Sequence, residues 1–143
     1  MNLLAKILVV TDGSEHSTRA MKFASEIARK FGSKITLAHV VVPPSYYYGS
    51  GEAFWMPDEK IIDEEGGKML RNSLEKAGTK GIDVKTMLLK GNAAEELSNL
   101  ANDKVYDLVV VGSRGLSTFK RLLIGSVSDK VVRFSNCPVL VVK

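Results

Sequence analysis

The residues whose types and spacing could do chemistry are concentrated in the stretch VGSRGLSTFKRLLIGS, which begins at Val111 and follows a strand-like apolar run. Two residues separate Gly112 from Gly115, nine separate Gly115 from Gly125, and Ser126 comes next. Glycines let backbone N–H groups approach an anion without a Cβ in the way, and a helix N-terminus adds unpaired N–H groups. The spacing therefore indicates a phosphate-binding loop; the alternative is a strand cap, a turn and a helix start.

The polar side chains of this stretch suit binding better than catalysis. Arg114, Lys120 and Arg121 could offset phosphate charge, and Ser126 could donate a hydroxyl hydrogen bond. The stretch contains no His, Asp or Glu that could position a water for hydrolysis. No G-x-x-x-x-G-K-[ST] occurs, and no G-x-G-x-x-G follows the first strand-like run, which argues against P-loop and conventional dinucleotide enzymes.

Two further segments end strand-like runs and could join the same site. Asp12 ends the first run, and Val40 lies at the end of the second. Ligands of open α/β sheets bind beyond the carboxyl ends of the strands, so these residues would meet the glycine stretch if the first and fourth strands are neighbours. Asp12 could instead cap the first helix.

The elements that must position these residues alternate between strands and helices. This alternation predicts a mainly parallel sheet with helices on both faces, in one domain over residues 1–143. The pair Gly66–Gly67 falls inside a helical pattern, where we expect a kink or break. The predicted strands are 6–11, 34–41, 82–89, 106–111 and 138–142. The first predicted helix has His16 in its first turn and apolar periodicity over 20–31. The other predicted helices are about 58–77, 92–101 and 126–134, of which 92–101 is opened by a capping pair, Asn92 with Glu95.

Composition limits the function class. The 143 residues carry a net charge of +4 with the cationic residues scattered, so nucleic acid is not the expected partner. No apolar run approaches the length of a membrane span, no convincing signal peptide opens the chain, and one cysteine rules out an internal disulfide; we expect a cytoplasmic protein.

His16, His39 and Cys137 lack metal-site spacing; we expect a solvated His16, a structural His39 and a buried structural thiol.

The glycine spacing resembles the G-2x-G-9x-G-[ST] pattern of the ATP-binding branch of the universal stress protein family. The likeness covers essentially the whole chain, from Ile7-Leu-Val-Val-Thr-Asp-Gly-Ser14 to Cys137-Pro-Val-Leu-Val-Val142. It implies an open five-stranded parallel sheet of order 3-2-1-4-5, a Rossmann-like fold similar to the adenine-nucleotide alpha-hydrolase type.

The resemblance also implies a nucleotide site. Asp12 would bond the ribose hydroxyls, Val40 would meet adenine through its backbone, and Val10 would line the base pocket. The residues around the ribose and phosphates would be Val111, Gly112, Arg114, Gly115, Gly125, Ser126 and Val127. No catalytic or metal-ligating residue is implied.

By this resemblance the chain is an ATP-binding regulatory or stress-response protein, with Mg²⁺ accompanying the ATP. It would form a homodimer through its C-terminal strand, Pro138 to Val142, because an exposed apolar edge strand invites pairing. The alternatives are a slow ATPase and a nucleotide-independent module that binds an unidentified protein partner. The aromatic residues of the segment 43–57 could cover the nucleotide, form a partner surface or fold back on the sheet edge; they are Tyr46, Tyr47, Tyr48, Phe54 and Trp55.

Overall fold

A computed structural model describes residues 2–43, 58–113 and 126–143 of the chain. Strands and helices alternate along these residues, as the apolar patterning predicts. The strands are β1 (Lys6–Val10), β2 (Lys34–Val41), β3 (Asp83–Lys90), β4 (Leu108–Gly112) and β5 (Val139–Val142), and the helices are α1 (Glu15–Phe31), α2 (Glu59–Ala77), α3 (Ala93–Ala101) and α4 (Ser126–Phe134).

All five strands form one parallel sheet of order β3-β2-β1-β4-β5, so the expected order is confirmed. β1 lies at the centre, with Ile7 opposite Ile35 of β2 and Leu108 of β4. Alternate residues of β1 face opposite sides: Ile7 packs in the cluster that includes α1 and α2, and Leu8 packs in the cluster that includes α3 and α4. Burial on both faces explains why the strands appear as continuous apolar runs.

Local capping explains where several helices begin and end. The Ser14 hydroxyl accepts a hydrogen bond from the backbone of Ser17 and opens α1, which ends at Gly32 in the left-handed conformation. The expected cap of α3 is confirmed, because the Asn92 side chain accepts from the backbone N–H of Glu95 at 3.1 Å. α1 begins at Glu15, so His16 lies in its first turn, as predicted.

The expected kink or break at Gly66–Gly67 is wrong, since α2 runs unbroken from Glu59 to Ala77. A Cβ on Gly66 would lie 2.8 Å from a methyl of Leu88 and 2.9 Å from a methyl of Val41. Gly66 is therefore a point of close approach between α2 and strands β2 and β3. Gly67 faces away, and a Cβ there would meet only the Arg71 guanidinium, at 3.4 Å.

Ion pairs connect the beginning of α2 to the end of β3. The Lys90 ammonium lies 2.8 Å from a carboxylate oxygen of Glu59 and 2.9 Å from one of Asp63. These two carboxylates raise the pKa of Lys90 above its ordinary value. Within the three described ranges, no helix is long and apolar enough to cross a membrane.

Candidate functional site

The carboxyl ends of β2, β1 and β4 lie side by side, because β1 pairs with both of the other strands. Val40 is the second-last residue of β2, Asp12 lies two residues after β1, and Gly112 is the last residue of β4. The condition set by the sequence, that the first and fourth strands be neighbours, is met. This edge of the sheet is the candidate site.

Four of the candidate residues share one apolar surface. Val10, Val40 and Val111 are buried in the cluster between the sheet and helices α3 and α4, and Val127 packs against that cluster while half-buried. Val10, Val40 and Val111 are at most 8% exposed, so only the outer margin of this cluster could border the ring of a ligand. Val127 belongs to the first turn of α4, so the start of that helix borders the same surface.

Asp12 shapes the turn that leaves β1. Its Oδ1 accepts a hydrogen bond from the backbone N–H of Ser14 at 2.9 Å, and the residue is half-buried. The cap of α1 is Ser14, so the alternative role of Asp12 as the helix cap is wrong. A carboxylate positioned in this way can accept further hydrogen bonds from hydroxyl groups of a ligand.

A buried hydroxyl network supports this turn, and sequence reasoning missed it. The Thr11 Oγ1 lies 3.0 Å from Ser17 Oγ and 3.4 Å from Ser73 Oγ, and it accepts from the backbone N–H of Gly13 at 3.2 Å. Thr11, Ser17 and Ser73 are each at most 4% exposed. The network thus joins β1, α1 and α2 directly beneath Asp12. Its only signal in the sequence is small polar residues at core-facing positions of the two helices.

His39 has the structural role expected of it. Its Nδ1–H donates to the backbone carbonyl of Thr11 at 2.9 Å, which connects β2 to the end of β1. Burial lowers the pKa of His39 below its ordinary value of 6.5, although the bond to Thr11 and the charge of Asp12 oppose the shift. The imidazole is therefore held neutral near pH 7.

Gly112 is required by packing as well as being a candidate for ligand contact. A Cβ on Gly112 would lie 2.8 Å from the backbone carbonyl carbon of His16 and 3.0 Å from its carbonyl oxygen. The first turn of α1 thus lies directly against the end of β4. The carbonyl of Gly112 accepts from the buried Ser128 hydroxyl at 2.6 Å, which connects this strand end to α4.

His16 lies beside the residue that follows Gly112. Its Nδ1 is 3.3 Å from the hydroxyl of the buried Ser113, and the guanidinium of Arg19 is 3.2 Å from the same nitrogen. The expected solvated His16 is wrong, since the residue is half-buried between α1 and the end of β4. Cys137 is likewise half-buried rather than buried, and packs against the cluster that includes α3 and α4.

Several predicted site residues lie outside the described residues: Arg114, Gly115 and Gly125, together with Lys120, Arg121 and the aromatic segment. Ser126 is the first residue of α4, where the spacing predicts a helix start. Among the residues that the structure describes, no group of three or more His, Cys, Asp or Glu side chains could hold a metal ion.

Comparison with known proteins assigns the chain to a family. The model of the universal stress protein family matches residues 4–143. The chain belongs to the universal stress protein family. Universal stress protein YxiE of Bacillus subtilis is 40% identical to it over 149 residues, which cover 96% of this chain and 98% of that protein.

Solved structures of other family members share the fold. The structure of MJ0577 of Methanocaldococcus jannaschii is 30% identical to this chain, with a TM-score of 0.79 over 99% of this chain and 96% of that one. A universal stress protein solved in complex with cAMP is 31% identical, with a TM-score of 0.68 over 97% of this chain and 96% of the other. Both alignments cover nearly the whole chain.

Proposed function

We propose that the chain binds ATP, with Mg²⁺ held by the phosphate oxygens, at the carboxyl ends of β1, β2 and β4. The observation that carries the proposal is the strand order, which brings Asp12 to the same edge of the sheet as the margin of the apolar cluster that contains Val10, Val40 and Val111. An adenine ring needs such a surface, and ribose hydroxyls need an acceptor. The family member that was solved with cAMP supports an adenine nucleotide as the ligand class.

The proposed roles follow the strand ends. Asp12 accepts hydrogen bonds from the ribose hydroxyls, Val10 lines the base pocket, and the backbone of Val40 meets adenine. The phosphates lie against the glycine-rich stretch and the start of α4. In this proposal the residues around the ribose and phosphates are Val111, Gly112, Arg114, Gly115, Gly125, Ser126 and Val127.

The proposed role of the bound nucleotide is regulatory. The chain acts as one cytoplasmic domain that responds to stress, and nucleotide binding changes the surface that a protein partner meets. Turnover is slow, because hydrolysis needs a group that orients water and residues 111–126 contain no His, Asp or Glu. If hydrolysis is detected, the imidazole to test is that of His16, which belongs to α1 and lies beside the end of β4.

The proposed assembly is a homodimer that forms along β5. β5 is an edge strand of the sheet, and Val139, Leu140 and Val141 are only half-buried. Pairing with a second copy would satisfy the outer backbone groups of β5 and cover these side chains. Sedimentation at micromolar concentration is expected to give a dimer, and a clean monomer would rule this assembly out.

The first experiment identifies the ligand. The protein is purified without added nucleotide and denatured, and any released small molecule is identified by chromatography and mass. Stoichiometric ATP is the expected result. ADP or AMP would favour the slow ATPase, and no released nucleotide, followed by no calorimetric binding of Mg-ATP, would contradict the proposal and favour a partner-binding module.

A matched pair of variants tests the role of Asp12. Asp12 and Asp103 each accept a hydrogen bond from a backbone N–H two residues later, that of Ser14 or Val105, so both Asn variants alter a turn in the same way. Asp12→Asn should weaken ATP binding about tenfold or more, since a charged acceptor is lost. Asp103→Asn should leave the affinity unchanged. Equal affinities in the two variants would refute the ribose role.

A third variant tests the glycine-rich stretch. Gly115→Val should abolish ATP binding while leaving the fold intact, because a side chain would occupy the space proposed for phosphate. Retained affinity in this variant, with an unchanged circular dichroism spectrum, would refute the assignment of the phosphate site.

A further inference from the structure

A second cleft lies at the opposite edge of the sheet, where β1, β2 and β3 begin. Its volume is about 310 Å³, which falls in the range of small-molecule sites. Lys6, Lys34 and Lys85 line it, one from each of the three strands. It is therefore separated from the candidate nucleotide site by the length of the strands.

The strand register holds the three lysines on one face. Lys6 is directly opposite Lys34, and Lys85 is opposite Thr36, which lies two residues after Lys34 on the same face of β2. Neighbouring strands are about 4.8 Å apart. Like charges directly opposite each other on a sheet destabilise it, and Asp83, directly opposite Lys34 on β3, offsets part of this repulsion. The fold thus maintains a cationic cluster that would be more stable with an anion beside it.

The cluster lacks sufficient compensating charge from the protein. Asp83 is the single acidic residue that lines the cleft, and it lies directly opposite Lys34. The Asp107 carboxylate also accepts a hydrogen bond from the backbone N–H of Lys6 at 2.9 Å, so three lysines and two carboxylates leave a net charge of +1. Within the described part of the chain, no ion pair includes Lys6, Lys34 or Lys85. Lys90 of β3 differs, because two carboxylates neutralise it. The lysines of the cleft are therefore available to an external anion.

The remaining walls combine a hydroxyl group with apolar surface. Thr36 and Tyr106 line the cleft and are 4% and 8% exposed, so they are fixed by packing, and Val105 lies beside Tyr106. A ligand that met these walls would carry an apolar part as well as a charged group. Thr36 belongs to β2, whereas Val105 and Tyr106 belong to the segment before β4, so the sheet sets their positions.

We propose that this cleft binds a small organic phosphate monoester. A phosphate monoester carries a charge of about −1.5 to −2 at pH 7, opposite in sign to the net charge of the cleft. Lysine binds phosphate as a point charge, and each of three adjacent strands contributes one lysine to the lining of the cleft. The apolar part of the ligand packs against Tyr106 and Val105. This site is independent of the proposed nucleotide site.

The test uses phenyl phosphate as the probe and the whole protein labelled with nitrogen-15. Titration followed by amide chemical shifts should give saturable changes at Lys34, Thr36 and Lys85. Inorganic phosphate, which lacks the ring, and benzoate, which carries a single charge, should each bind more weakly. Signals of Asp12 and Gly112 report separately on the candidate nucleotide edge, so failure of one site can be distinguished from failure of the other.

Variants complete the test. Lys34→Gln and Lys85→Gln should each weaken phenyl phosphate about tenfold, because a charged hydrogen bond is lost. Lys22→Gln, at an exposed lysine of α1 that does not line the cleft, should leave the affinity unchanged. All three residues are exposed, and the amide spectrum confirms that each variant is folded. Three results would overturn the proposal. The first is that sodium chloride at equal ionic strength reproduces the chemical-shift changes, and the second is that the changes are confined to the nucleotide edge. The third is that all variants bind phenyl phosphate with equal affinity.

Discussion

The adjacent glycines of α2 allow a prediction in which one variant is the control for the other. Gly66→Ala and Gly67→Ala make the same chemical change at neighbouring positions of one helix. Each exchange should gain about 1 kcal/mol from helix propensity. The variants differ in what the new methyl group meets.

At Gly66 the methyl group would lie within 3 Å of side-chain atoms of both Leu88 and Val41. The Leu88 methyl is the end of a flexible side chain, but Val41 is β-branched and buried, so α2 or β2 must shift. Overpacking of a core typically costs about 1–3 kcal/mol. After the propensity gain, we expect Gly66→Ala to lower the free energy of unfolding by about 1 kcal/mol.

At Gly67 the methyl group would meet only the mobile end of Arg71, so the propensity gain of up to about 1 kcal/mol should be retained. The difference between the two variants, about 2 kcal/mol, isolates the packing cost because propensity cancels. Urea denaturation measures it directly, and the melting temperatures should differ by about 4–8 °C. Equal stabilisation of both variants would refute the close approach of α2 to the sheet.

Three further predictions concern the candidate site. Gly112→Ala should lower the free energy of unfolding by about 1–3 kcal/mol without any ligand, because its Cβ would meet the backbone of His16; urea denaturation that shows no loss would contradict this contact. Thr11→Val should cost about 1–3 kcal/mol in the same assay, because the N–H of Gly13 and nearby hydroxyls lose their partner, whereas a neutral result would exclude the network. The pKa of His39 in the folded protein should be below 6.5 by NMR, and a midpoint at or above 6.5 would disprove the burial effect. With a lowered folded pKa, the unfolded state binds more protons than the folded state. The stability that His39 contributes is therefore present above pH 6.5 and is lost as pH falls towards the folded pKa.

The order of elements could be predicted from the sequence, because buried parallel strands leave continuous apolar runs and helices leave a period of 3.6. The strand order 3-2-1-4-5 came from the family resemblance, since apolar periodicity does not specify which strands are neighbours. Strand bounds differ from the prediction by at most two residues. The largest difference is at β4, predicted from Tyr106 and observed from Leu108.

The missed features are contacts between residues far apart in the chain. Ser73 approaches Thr11 across 62 positions, and Ser113 approaches His16 across 97. Local propensity alone predicts that Gly66 breaks the helix, whereas the glycine is required by the side chains of β2 and β3 that lie against it. Pattern reasoning locates the ends of strands, but it does not show which side chains meet there.

The contact between Gly112 and the backbone of His16 affects how the glycine spacing should be used for classification. A chain with this fold that had lost its ligand would still need a glycine at the position of Gly112, because the helix would occupy the place of any side chain. The first glycine of the spacing therefore has little diagnostic value for nucleotide binding. Gly115 and Gly125 deserve more weight when binding and non-binding relatives are separated by sequence.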